Sequence, residues 1–72
     1  MTINWKKLYR ISAKARDTLD VSWRQLALDN ELTASAFTRI SQDKPLSAVN
    51  LAKVLKIVRQ YDDGLTFWDF AA

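Results

Sequence analysis

Cysteine and histidine are both missing from the 72 residues. Their joint absence excludes disulfides, the usual ligands of zinc, haem and iron–sulfur clusters, and the common nucleophile and base pairs. No metal or other cofactor is expected, and stability must come from packing alone. Gly64 and Pro45 are the only glycine and proline, so little of that punctuation is available. No run approaches the roughly 18 apolar residues of a membrane span, and the start lacks the charged, apolar and small-residue order of a signal peptide. The expectation is a soluble, cytoplasmic protein of one domain, residues 1–72. A domain this small buries only about 60% of the surface its unfolded chain exposes.

Acids are missing from the first 16 residues, which carry Lys6, Lys7, Arg10, Lys14 and Arg16. Further on, Lys53, Lys56 and Arg59 are balanced by Asp62, Asp63 and Asp69. The net charge of +3 therefore belongs to the N-terminal part, and clustered cations suit a polyanionic partner.

What is present is a recurring helix start. An apolar residue, then Ser, Thr or Asn, then an apolar residue four further on lets the polar oxygen cap free backbone N–H groups while the apolar pair staples the entering chain. The sets are Ile3-Asn4 with Leu8, Val21-Ser22 with Leu26, Leu32-Thr33 with Phe37, Leu46-Ser47 with Leu51, and Leu65-Thr66 with Phe70. Ser22 and Gln25 also have the spacing of a full capping box. With no strand-like alternation of any length, these starts predict an all-α bundle of about five short helices, near 4–19, 22–29, 33–41, 47–61 and 66–70.

The apolar faces converge on one core. Helical spacing buries Leu8, Ile11, Ala15 and Leu19 of the first helix and turns Lys6, Lys7, Arg10 and Lys14 outward. It lines the second with Trp23, Leu26 and Ala27, leaving Leu28 outside, and buries Leu51, Val54, Leu55 and Val58 of the fourth. The second and third helices are joined by only Asn30 to Leu32, which forces a sharp crossing with Ala27 at the close approach. This is a helix-turn-helix layout.

At Val21-Ser-Trp-Arg-Gln-Leu-Ala27, Leu32-Thr33, Phe37, Arg39-Ile40, Lys44-Pro45-Leu46-Ser47 and Leu51-Ala52-Lys53-Val54-Leu55, the chain resembles the lambda-repressor-like family of phage repressors, Cro proteins and related bacterial regulators. Gly64-Leu65-Thr66-Phe67-Trp68 looks like that family's final short helix, so the resemblance spans roughly residues 8–70. The chain departs from the family at Glu31, where a turn glycine is usual, and at Ser41 and Asp43, where Glu and Gly are usual. Arg16 matches an arginine that normally pairs with that Glu, so its partner here must differ. Asn30 or Asp43 can adopt left-handed backbone and keep the turns feasible.

The third helix has a flat polar face, and a helix in the major groove needs one: small side chains admit the backbone, and a few donors or methyls then reach base edges. Thr33, Ala34, Ser35, Thr38 and Arg39 supply that combination, and the resemblance implies base reading from the same positions. Arg39 suits O6 and N7 of guanine, Ser35 and Thr38 bond permissively, and the methyls of Ala34 and Thr38 can meet a thymine methyl. Phosphates would be held by the helix start at Ser22 to Gln25, by Arg24, and by Gln42 and Lys44. Taken singly, each has a plainer reading: small polar residues are a soluble surface, the Lys6 to Lys14 face is solvated, and Lys44 is a helix-end cation.

The Phe67-Trp68-Asp-Phe70 run has two readings. It is a cap over the first and fourth helices, with Trp68 and Leu65 facing the core and Phe67 more exposed, or it is a dimer surface built from Ile57, Tyr61, Phe67 and Phe70. The expected function is sequence-specific binding of double-stranded DNA by a small transcriptional regulator or repressor, as a weak homodimer that tightens on DNA. No small-molecule ligand and no membrane partner are expected. The alternative is a protein-interaction module on the same fold, such as an antitoxin or adaptor. An enzyme is not expected, because Asp62, Asp63 and Asp69 surround a turn without an accompanying base, nucleophile or phosphate loop.

Overall fold

The computed structural model describes residues 2–71. Four α-helices, α1 (Trp5–Leu19), α2 (Trp23–Asp29), α3 (Ala34–Ser41) and α4 (Ala48–Tyr61), precede a 3-10 turn at Phe67–Phe70. The fifth expected helix is therefore a single tight turn, and the α-helix count among the described residues is four.

Every α-helix begins directly after its expected cap. Asn4 Oδ1 accepts from Lys7 N–H at 3.1 Å, Ser22 Oγ from Gln25 N–H at 3.1 Å, and Ser47 Oγ from Asn50 N–H at 3.2 Å. Thr33 is the exception: its backbone has cap geometry, but its hydroxyl lies 2.7 Å from Ser35 Oγ and makes no capping bond. The staple compensates there, with both Leu32 and Phe37 buried. The capping box expected at Ser22 is half made, because the Gln25 amide donates forward to Asp29 Oδ1 at 2.7 Å.

The helix ends are less ordinary. Asp20, Glu31 and Asp43 follow the last turns of α1, α2 and α3 with φ of 55°, 59° and 61°, in the left-handed region that favours glycine. In each case the next residue reaches back five positions: Val21 N–H to Arg16 O at 3.4 Å, Leu32 N–H to Ala27 O at 2.8 Å, and Lys44 N–H to Arg39 O at 2.9 Å. These are Schellman closures, made here without glycine. The turn after α2 is set by Glu31 itself and not by Asn30, whose φ is −117°.

The core joins α1, α3 and α4, with α2 packed on α3. Leu8 and Ala15 of α1, Leu26 and Ala27 of α2, Ala36, Phe37 and Ile40 of α3, and Val54, Ile57 and Val58 of α4 are buried. Ser12 is also fully buried, and its hydroxyl is satisfied by Leu8 O at 2.7 Å. Tyr9, Trp23 and Phe37 stack in succession, with ring centroids 5.3 and 4.8 Å apart, and so tie the first three helices together. Arg16 finds its partners locally: Val21 O at 3.1 Å, Asp17 Oδ1 at 2.7 Å and the face of Trp23 at 5.2 Å.

Several expected positions shift. Leu19 is 50% exposed, at the last residue of α1, where it lines a small cleft with Gln60 and Tyr61 at the end of α4. Ile11, Leu51 and Leu55 are half-buried, and the buried stripe of α4 is rotated toward Ile57. Lys7 does not point outward with Lys6 and Arg10; its ammonium donates to Asp69 O at 2.8 Å and lies 5.8 Å from the Phe70 ring centre.

That contact is part of a clasp between the two ends of the chain. Ile3 and Ala71 form an isolated antiparallel bridge, and Asn4 N–H donates to Phe70 O at 2.7 Å. Within the 3-10 turn, residues three apart eclipse, so Phe67 and Phe70 share the inward side and Trp68 is turned out. Phe70 is fully buried and Trp68 is 69% exposed, the reverse of the expected orientation for Trp68.

Candidate nucleic-acid interface

The outward face of α3 is built as its sequence spacing requires. Ala36, Phe37 and Ile40 are driven inward, which leaves Ala34, Ser35, Thr38, Arg39 and Ser41 exposed beside the exposed cap residue Thr33. All of the proposed base-reading residues thus share one accessible surface, with no large apolar side chain among them.

Arg39 is not free on this surface. It donates through Nε at 3.3 Å and Nη2 at 3.1 Å to the carbonyl oxygen of Pro45. The Schellman closure at Asp43 folds residues 42–45 back along the end of α3 and brings that carbonyl within reach. Gln42 and Lys44 are exposed in the same returning loop. Ser22, Arg24 and Gln25 are exposed at the start of α2, although Ser22 Oγ is occupied by its capping bond.

Among the described residues the only ion pair is Arg16–Asp17, so neither Arg24 nor Lys44 is neutralised by a carboxylate there. A cation without a carboxylate partner keeps its full attraction for an external polyanion.

The structure also adds a residue that spacing did not reveal. A cleft of about 120 Å³ beside α3 is lined by Tyr9, Trp23, Phe37, Ala34, Thr38 and Ser41. Tyr9 of α1 is thereby carried to the margin of the polar face of α3. Spacing offers no signal for it, since Tyr9 stands within α1 one residue after the buried Leu8, at the half-buried edge of that helix's inward face.

The surface expected for pairing two copies is reduced. Ile57 and Phe70 have no exposed area and belong to the core, Ile57 because of the rotated α4 stripe and Phe70 because of the 3-10 geometry. Tyr61 stays 42% exposed, and half-buried Phe67 meets Trp68 edge-on with ring centroids 5.6 Å apart. Among the described residues no cluster of acids could hold a metal ion, and no helix is long and apolar enough to cross a membrane. No family model matches the chain, and no curated protein or solved structure shows significant similarity to it.

Proposed function

We propose that the chain is a sequence-specific binder of double-stranded DNA, a small regulator in which α2 and α3 form a helix-turn-helix of lambda-repressor-like type and α3 enters the major groove. The observation that carries this reading is the face of α3: small hydroxyl and methyl side chains and one arginine, flat and accessible, opposite a fully buried apolar face. Arg24 at the start of α2 and Lys44 after α3 are exposed cations without carboxylate partners among the described residues.

In this mechanism the phosphates orient the domain and the bases select the site. Arg24 and the N–H groups opening α2 take one stretch of backbone, joined by Gln25 once its amide releases Asp29, and Gln42 and Lys44 take another. Thr33, Ala34, Ser35, Thr38 and Arg39 then meet base edges between the two. One such helix contacts only a few base pairs, so the reading includes two copies on a palindrome with half-sites about 34 Å apart. At the C-terminal end of the fold the apolar side chains left for pairing are Tyr61, Phe67 and Trp68.

The test is anisotropy of labelled duplex DNA across salt concentrations. Each phosphate neutralised contributes a slope of about −0.9 to log K against log salt, so Arg24 and Lys44 alone give nearly −2 per subunit. Affinity that ignores salt, or no binding to any duplex, overturns the proposal. The exposed Trp68 favours one other reading, a protein-interaction module, which predicts that no duplex binds at all.

A further inference from the structure

Arg39 has five N–H donors in a fixed planar fork. Two of them, on Nε and Nη2, are directed at one carbonyl oxygen, that of Pro45, at 3.3 and 3.1 Å. This uses the side edge of the guanidinium and leaves the end edge, one Nη1 hydrogen and the second Nη2 hydrogen, without a partner in these contacts. The end edge carries two parallel donors, the pattern that matches O6 and N7 of guanine. The carbonyl itself is held from two sides. Proline restricts φ at position 45, and the loop leading to it is folded by Asp43 at φ 61° and by Lys44 N–H on Arg39 O at 2.9 Å. Arg39 thus braces its own side chain through the loop that its backbone oxygen helps to fold.

We infer that the Pro45 carbonyl is a positioning group that pre-orients Arg39 as a guanine reader, and that the Asp43-Lys44-Pro45 loop therefore takes part in base selectivity without touching a base. The inference rests on the DNA-binding reading above. Holding a long side chain before binding saves the ordering cost of about 0.5–1.5 kcal/mol, a factor of roughly 2 to 10 in discrimination. That saving applies only where the end edge meets guanine, so it changes selectivity and leaves nonspecific affinity alone.

The experiment starts from a preferred duplex selected from a random pool by the full chain. Each guanine in turn is replaced by 7-deazaguanine, which lacks the N7 acceptor. Wild-type protein is expected to lose at least about fivefold in affinity at one position, from the lower end of a bidentate contact. Arg39→Ala should remove that sensitivity entirely. Pro45→Gly, at an exposed site where the fold is checked by circular dichroism, should shrink it by at least about twofold, toward the Arg39→Ala value, while binding to scrambled duplex stays unchanged. Arg39→Lys, which can give guanine a donor but has no second edge to hold Pro45 at the same time, should fall between the wild type and Arg39→Ala. Full sensitivity retained in Pro45→Gly overturns the positioning role while leaving DNA binding intact. Sensitivity retained in Arg39→Ala assigns the guanine to another residue and overturns it as well. Absence of any duplex binding by the wild-type protein refutes the underlying reading, a result distinct from both.

Discussion

Replacing Glu31 by glycine should stabilise this fold. Glu31 has φ 59° at the end of α2, and the left-handed region costs an ordinary L-residue about 1–2 kcal/mol. Glycine removes that cost but adds freedom to the unfolded chain, worth about 0.4–1 kcal/mol against the native state. The difference leaves a gain of about 0.5–1 kcal/mol, or about 2–8 °C in Tm for a domain this size. Little else changes, because the contact of Lys53 Nζ at 3.0 Å is to the Glu31 backbone oxygen, which glycine retains. Urea unfolding followed by tryptophan fluorescence measures the effect as a rise in midpoint at constant slope. Two controls isolate the cause. Glu31→Ala removes the same carboxylate but keeps Cβ, so it should bring no comparable gain. Asp43→Gly and Asp20→Gly should gain less, since aspartate tolerates φ of 61° and 55° better than glutamate does. A lower midpoint for Glu31→Gly, or an equal gain from Glu31→Ala, would refute backbone strain as the reason.

On a preferred duplex, Arg39→Ala should weaken binding by about 1–3 kcal/mol while scrambled DNA is little affected; equal losses on both, measured by anisotropy, would remove Arg39 from base reading. Lys44→Ala should weaken all sequences alike and make the salt slope shallower by about one unit, which a salt titration reads directly. Phe70→Ala should destabilise the domain by about 3–5 kcal/mol, because a fully buried ring is lost from the clasp, whereas Trp68→Ala should stay within about 0.5 kcal/mol. Thermal melts of the two variants decide this, and a collapse caused by Trp68→Ala would mean that its ring is part of the core. Trp68→Asp should weaken binding to a palindromic duplex and remove its cooperativity while binding to a single half-site is unchanged if the C-terminal turn pairs two subunits, and unchanged cooperativity would place pairing elsewhere.

Helix starts were legible because they are local. A cap needs one polar oxygen within reach of an N–H three residues on, and a staple needs two apolar side chains five positions apart, so Asn4, Ser22 and Ser47 could be identified from spacing alone. The polar face of α3 was legible for the same reason: with Phe37 and Ile40 inward, helical geometry leaves Ser35, Thr38 and Arg39 outward. The direction of a flexible side chain was not. Arg39 on Pro45, Lys7 on Asp69 and Gln25 on Asp29 each depend on which acceptor lies nearest after folding, and several rotamers of similar energy compete for that choice.

The sequence by itself determined the four helices, the side-chain caps of three of them and the inward residues of α3, because each follows from interactions within about two helical turns. It also excluded disulfides through the absence of cysteine. Tertiary structure alone decided the two ends of the chain and the rotation of α4. Phe70 is buried because residues near 3 and 71 meet, a closure between segments almost the whole chain apart, and the shorter repeat of a 3-10 turn then sends Trp68 outward. Ile57 is buried because α4 rolls against α1, although its own pattern of Leu51, Leu55 and Val58 allows either flank to face the core. A helix with an apolar stripe this broad has no single inward direction until its neighbour packs against it.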